Sequence, residues 1–434
     1  MNPSVKLMST EHAADTLRPL CRYGETSAAP SRPPIASSPA TAYHIFLNCK
    51  YFPLLDGLRC LSIVAVVWFH AAGTIYQHSG FLSRGYLGVS LFFVISGFLI
   101  TTLLLREQSG TGNISLKRFY LRRAFRIFPL YYAVVALYVV LVSATEAHSP
   151  AGENFWHNLP YFLTYTSNWF VPLGSDRVIF YFAWSLATEE QFYLFWPWVV
   201  NASAKPYLPL GVMAGLLTLH YSSGFGVDRG FLNPTSFLTV VLTEISPPIC
   251  LGAIAAVLMH RPTSFDWINR WMGWRYSPIC ALAALLVALA FDATPDWVDS
   301  IAMTWLVVAC VLQPDQPLGY VLTNPLIKHI GIVSYGIYLT HMLCVNAARH
   351  LVHVSYGPLV FVSGLAISIF VATLSYYFFE SPFLHLKDRL TKGPEWQSAL
   401  PHHFDFGILS RAFFRTRISH YFAILRARDR ALPS

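Results

Sequence analysis

Apolar residues run along this chain in long blocks rather than with the stripe of a surface helix. Blocks long enough to cross a bilayer lie near 53–75, 86–105, 127–146, 184–202, 206–222, 237–259, 276–292, 298–313, 328–351 and 357–379. A spanning helix needs about 20 apolar residues, with a lower limit near 17. The pattern predicts an all-α polytopic membrane protein, a bundle of about ten transmembrane helices. An eleventh block, 155–173, is aromatic and interrupted by Pro160 and Asn168. It predicts a re-entrant or interfacial segment, because irregular backbone at membrane depth must be shielded by protein or water.

The polar positions between the blocks set an orientation. Arg106, Lys117, Arg118, Arg122, Arg123 and Arg126 stand against the single acid Glu107, and Arg261, Arg270 and Arg275 form a second basic stretch. The tail beyond residue 380 is also basic, whereas Asp292, Asp296 and Asp299 share one loop. Basic loops stay in the cytoplasm. Ten spans then place every basic stretch inside and both termini in the cytoplasm, in a multi-pass bacterial-type cytoplasmic membrane. Residues 1–50 hold no apolar run of signal-peptide length and are rich in Ser, Pro, Ala and Thr. They read as a disordered cytoplasmic arm. Residues 51–385 form the membrane domain, and 386–434 a basic cytoplasmic tail.

Composition sharpens the class. Of 434 residues, 54% are hydrophobic and 12% charged, about half the charge of a soluble domain. The net charge of +8 belongs to inner loops, so no nucleic-acid partner is expected; the partner is the lipid bilayer. Seven cysteines show no CxxC spacing and read as small hydrophobes, with no metal site expected.

Four constellations carry chemistry. Asp56, Arg59 and His70 lie in the first block. Eleven helical residues turn about 1100°, so Arg59 and His70 share a face, roughly 16 Å apart along the axis. Ionisable groups at such depth face a bundle interior or a wet cavity. A snorkelling Asp56–Arg59 pair with a satisfied core histidine is the plainer alternative. In 117–132, Arg118, Arg122 and Arg126 follow helical spacing and Arg123 with Arg126 forms RxxR. Guanidinium groups in that array match phosphate, and they equally suit topology setting or anionic lipid. In 184–197, Glu189 and Glu190 sit about one turn into an apolar helix beside Trp184. Adjacent residues diverge around a helix, so at most one of the two carboxylates is expected in a site. In 334–342, Ser334, Tyr338 and His341 share a face, suited to a second shell or to ordinary interhelical bonding. Ser96-Gly97 reads as a close helix approach. P-loop, dinucleotide, HExxH and GxSxG signatures are lacking.

Taken in order, LLDGLRCLSIVAVVWFH, GVSLFFVISGFLITTLLLRE, RFYLRRAFRIFPLYY, WSLATEEQFYLFWP, SYGIYLTH and FFESPF resemble the acyltransferase 3 family of integral-membrane O-acyltransferases over about 51–385. The resemblance implies the following. The family's arginine and histidine fall on Arg59 and His70, its RxxR on Arg123 and Arg126, and its Trp-x-Leu-x-x-Glu on Trp184, Leu186 and Glu189. Tyr338 and His341 match its late-helix pair. An acyl group, commonly acetyl from acetyl-CoA as co-substrate, passes to a hydroxyl of a glycan or glycolipid at the cell surface. His70, Glu189 and Arg59 are then catalytic. Arg122, Arg123 and Arg126 bind the acyl-CoA phosphates, and Asp56, Tyr338, His341 and Trp184 line the surroundings. His70, oriented by Glu189 or a neighbour, acts as general base or forms an acyl-histidine. The extracytoplasmic SGNH domain of some members is expected to be missing, and the arm 1–50 departs from compact members. A secondary transporter of an anionic solute or lipid-linked sugar has similar ingredients, but no duplicated broken helices are seen. A non-catalytic binder of a lipid-linked sugar is the third class.

Overall fold

A computed structural model describes residues 39–49, 51–73, 82–172, 177–202, 207–291 and 293–391. Their regular structure is helical throughout. In chain order the helices are α1 (Pro39–Asn48), α2 (Pro53–Ala72), α3 (Gly88–Thr111), α4 (Leu116–Thr145), α5 (Pro150–Leu163), α6 (Ser167–Phe170), α7 (Ala183–Asn201), α8 (Tyr207–Asp228) and α9 (Phe237–Thr243). Then come α10 (Pro247–Met259), α11 (Pro262–Met272), α12 (Ser277–Ala290), α13 (Asp296–Leu312), α14 (Pro317–Leu322), α15 (Pro325–Ile332), α16 (Ser334–Val352), α17 (Pro358–Ser375) and α18 (Ser381–Thr391). A π-helical turn, Tyr376–Glu380, joins the last two.

Proline opens many of these elements, since its fixed φ suits the first helical turn and its missing N–H would be unpaired there anyway. Among the described residues, five helical stretches are long and apolar enough to span a bilayer: Pro53–Ala72, Gly85–Thr111, Leu116–Thr145, Tyr207–Asp228 and Pro358–Thr391. Three bent pairs, α9–α10, α11–α12 and α15–α16, raise the count to eight. The all-α polytopic class stands, while the tenfold count rested on two helices that fall short of this test. One is α13, with 17 residues; the other is α7, which carries Glu189 and Glu190 among its 19. The 155–173 block divides into α5 and the single turn α6, with Tyr165 at φ 53 between them. At 14 residues α5 is shorter than a span; Pro160 lies inside it and Asn168 in α6.

The central helix is α2, which packs against α3, α13, α14, α15, α16 and α17. Helices α3 and α10 meet backbone to backbone. A Cβ on Gly97 would stand 2.2 Å from the Ile249 carbonyl oxygen, and one on Gly252 2.2 Å from that of Val94. Helix α7 is tied to α3 by the buried Trp196 indole, which donates to Thr101 Oγ1 at 2.8 Å.

Charge is segregated between the two ends of the bundle. Arg106 donates to the Phe46 and Cys49 carbonyls at 2.7 and 2.5 Å, so the start of α2 and the basic stretch share an end. Helix α11, in the second basic stretch, packs on α1, and α18 packs on α4 at that same end. At the other end Arg84 forms a buried ion pair with Asp299 (2.5 Å) and donates to the Ala288 and Phe291 carbonyls.

The arm expected to be disordered is helical over Pro39–Asn48. Phe46 is 4% exposed against His260 and Phe265, and the Tyr43 hydroxyl donates to the His260 carbonyl at 2.8 Å. The average composition of 1–50 concealed this short aromatic segment. Residues 1–38 of the arm lie outside the described residues, as does the tail from 392; its first part, 386–391, belongs to α18.

Candidate active site

Two groups of polar side chains occupy opposite stretches of α2, one around Arg59 and one around His70. The spacing predicted from the sequence is therefore present, but the partners differ from those expected.

Near the basic end, Glu189 on α7 accepts hydrogen bonds from Ser96 on α3 and from the Tyr193 hydroxyl, the latter at 3.1 Å. The Arg123 guanidinium lies 4.7 Å from the centre of the Tyr193 ring, a cation–π contact. Arg59 feels the charges of Arg126, Asp56 and Glu189, and its buried Nε has no hydrogen-bond partner. The Asp56 carboxylate accepts from Tyr51, and no ion pair joins it to Arg59. Three arginines thus converge on one hydrogen-bonded glutamate, with Asp56 and Glu190 also within reach of their charges, and the Arg59 Nε is left as an unused donor for an anion. Arg122 does not join them. It pairs with Glu107 at 3.0 Å, and Glu107 also accepts from the Ser115 amide, so Arg122 pins the α3–α4 turn.

Near the other end, His70 lies in the last turn of α2. Its Nδ1 is 2.8 Å from the Tyr181 hydroxyl, and its ring centre is 5.0 Å from that of His341. His341 is fully buried, with Nδ1 2.5 Å from the Tyr338 carbonyl oxygen. A carbonyl only accepts, so Nδ1 carries the proton and Nε2 is a free acceptor, which has no protein partner. Tyr338 lies 2.5 Å from Ser185 Oγ and donates to the Phe182 carbonyl at 3.1 Å. Arg349 donates to the His70 carbonyl at 2.7 Å and to Asn346 at 2.8 Å, capping the end of α2 with a cation.

Glu189 or a neighbour was expected to orient His70. Glu189 is bound to Ser96 and Tyr193, and Tyr181 takes that place at His70. Trp184 joins neither group; it packs edge-on against Phe93 at 6.1 Å. Tyr181 and Arg349 were missed from sequence. Tyr181 precedes the WSLATEE block in VIFYFAW, a run with no periodic signal, and Arg349 reads as one more cation at a helix end. Glu190 points elsewhere on α7, as adjacent residues on a helix must. Among the described residues no group of three His, Cys, Asp or Glu could hold a metal.

A helical membrane bundle with buried arginine, histidine and glutamate is the class that this geometry defines. The chain matches the acyltransferase domain over residues 52–377 and belongs to the acyltransferase 3 family. It is similar to the "Putative O-acetyltransferase SAR0937" of Staphylococcus aureus, with 28% identity over 387 residues, 82% of this chain and 60% of the relative. It is also similar to the peptidoglycan O-acetyltransferase OatA of Listeria monocytogenes, with 26% identity over 374 residues, 77% of this chain and 56% of the relative. The chain thus spans less than two thirds of the length of these curated relatives. No solved structure matches it.

Proposed function

We propose that this chain transfers an acyl group, acetyl first among them, from cytosolic acyl-CoA to a hydroxyl of a cell-envelope glycan. The observation that carries the reading is the pair of groups on α2: an anion-ready arginine cluster at the basic end and, eleven residues from Arg59, His70, held by Tyr181 and backed by His341, whose Nε2 has no protein partner. Two relatives whose names specify peptidoglycan make that polymer the first acceptor to test. The basic end faces the cytoplasm, residues 51–385 form the catalytic membrane domain, and both termini are cytoplasmic.

In this mechanism Arg123 and Arg126 hold the CoA phosphates and Arg59 faces the same anionic cofactor. The thioester reaches along α2 towards His70. Donation from Nδ1–H to the Tyr181 oxygen leaves Nε2 of His70 as the base. Nε2 takes the proton of the acceptor hydroxyl while that oxygen attacks the thioester carbonyl. The C–S bond breaks, the new C–O ester bond remains, and the imidazolium returns its proton to the CoA thiolate. His341 sits behind His70 as a second, buried acceptor. An acyl-histidine route uses the same residues and differs by ping-pong kinetics.

The test is acetyl transfer from labelled acetyl-CoA to peptidoglycan fragments by the purified protein in nanodiscs. His70→Ala should cut transfer by about 10²- to 10⁴-fold, the usual worth of a positioned base. Arg123→Ala with Arg126→Ala should raise the dissociation constant for CoA. Full transfer by an intact His70→Ala protein would refute the catalytic assignment. Solute uptake without any acyl product would favour a transporter.

A further inference from the structure

Two buried polar groups of the 164–170 turn lie near half-buried Glu190 of α7. Tyr165 is 8% exposed and its hydroxyl has no hydrogen-bond partner; Ser167 is 2% exposed and its Oγ likewise has none. Glu190, inside an apolar helix, accepts no hydrogen bond among the described residues. Buried polar groups without partners are costly, and their convergence marks a place where something else binds.

The surroundings single out Tyr165. Its neighbours Tyr131, Tyr132 and Tyr335 spend their hydroxyls on the Phe162, Leu163 and Ile127 carbonyls, at 2.8, 3.1 and 2.8 Å. Tyr165 is held in a left-handed backbone conformation at φ 53. Such a residue costs on the order of 1 kcal/mol or more and persists where its surroundings enforce it. The enforcing group is Gln191, which donates to the Tyr165 carbonyl at 2.9 Å and bonds Asn168 in both directions. Gln191 directly follows Glu190, so one turn of α7 sets both the carboxylate and the tyrosine, and the charge of Glu190 reaches the Tyr165 phenol.

The chemistry selects the ligand. A carboxylate accepts and a phenol donates; side by side they complement the N–H and C=O of one amide. The Tyr165 ring stacks on Tyr131 (4.4 Å) and Phe128 (5.7 Å), so a slender chain fits here better than a flat sugar ring needing an aromatic platform. Arg123 feels both Glu189 and Glu190, which places Glu190 beside the arginine cluster.

We propose that Glu190 and Tyr165 form a subsite for an amide of the pantetheine arm of acyl-CoA, between its phosphates and its thioester. The proposal rests on the donor reading above. It is tested by calorimetry on the full chain in nanodiscs, with CoA and with adenosine 3′,5′-bisphosphate, which lacks the arm. Glu190→Met and Tyr165→Phe should each weaken CoA about 10-fold, the equivalent of one good hydrogen bond, and leave the bisphosphate within about two-fold. Arg123→Ala should weaken both ligands. Unchanged CoA affinity in Tyr165→Phe and Glu190→Met would overturn the subsite while leaving the donor reading intact. Parallel loss of both ligands would assign the two residues to general packing and overturn it as well. A raised KM for the glycan with CoA binding intact would overturn it in favour of an acceptor site. Failure of the wild-type protein to bind either ligand would instead refute the donor reading, and the subsite with it.

Discussion

Tyr181→Phe isolates the contact that was least visible in the sequence. The substitution removes one hydroxyl and keeps the ring, which packs at 74° and 5.7 Å against the His70 imidazole. The lost interaction is the 2.8 Å contact at Nδ1. A neutral hydrogen bond of this kind contributes a net of about 0.5–1.5 kcal/mol. If all of it is expressed as orientation of His70 in the transition state, kcat falls by about 2- to 13-fold. The KM for acyl-CoA should not move, because the arginine cluster is remote from Tyr181. The assay is steady-state acetyl transfer in nanodiscs, alongside His70→Ala on the same preparation, with thermal unfolding to confirm an intact fold. An unchanged kcat would refute orientation by Tyr181. A loss as deep as that of His70→Ala would also refute it, by showing that the phenol itself handles a proton.

Two more outcomes follow from Arg84 and Arg349. Arg84→Met leaves Asp299, 1% exposed, without its partner; thermal or denaturant unfolding should show a loss of about 3–5 kcal/mol, largely recovered in Arg84→Met with Asp299→Leu. Arg349→Ala uncaps the His70 carbonyl and should cost about 1–3 kcal/mol in stability, with faster hydrogen exchange confined to the last turn of α2; uniform exchange across the bundle would disprove a local cap.

The helical class, the segregation of charge and the shared face of Arg59 and His70 were legible because each follows from local composition and the 3.6-residue period. Which of Glu189 or a neighbour meets His70 was not, because the period fixes a residue's face and not which neighbouring helix meets it. Ser96 and Glu189 are 93 residues apart, Tyr181 and His70 are 111 apart, and Arg349 lies 279 from the carbonyl it caps. Arg122 shows the same limit: its helical spacing with Arg126 was correct, but Glu107 across the α3–α4 turn had first claim on it. The short helix α1 escaped because ten ordered residues were averaged into a polar arm.

The glycine contact between α3 and α10 limits how the surroundings of Glu189 can be reshaped. Ser96, which holds Glu189, immediately precedes Gly97, whose Cα lies against the Ile249 carbonyl. That side of the Glu189 group is backed by main chain, which has no side chain to shorten. Enlarging this end of the bundle therefore has little to gain on the α3 wall, where added volume at Gly97 or Gly252 pries the helices apart. The adaptable boundary is the opposite one, built from the tyrosines of α4 and the 164–170 turn, where single substitutions change volume without moving a helix axis.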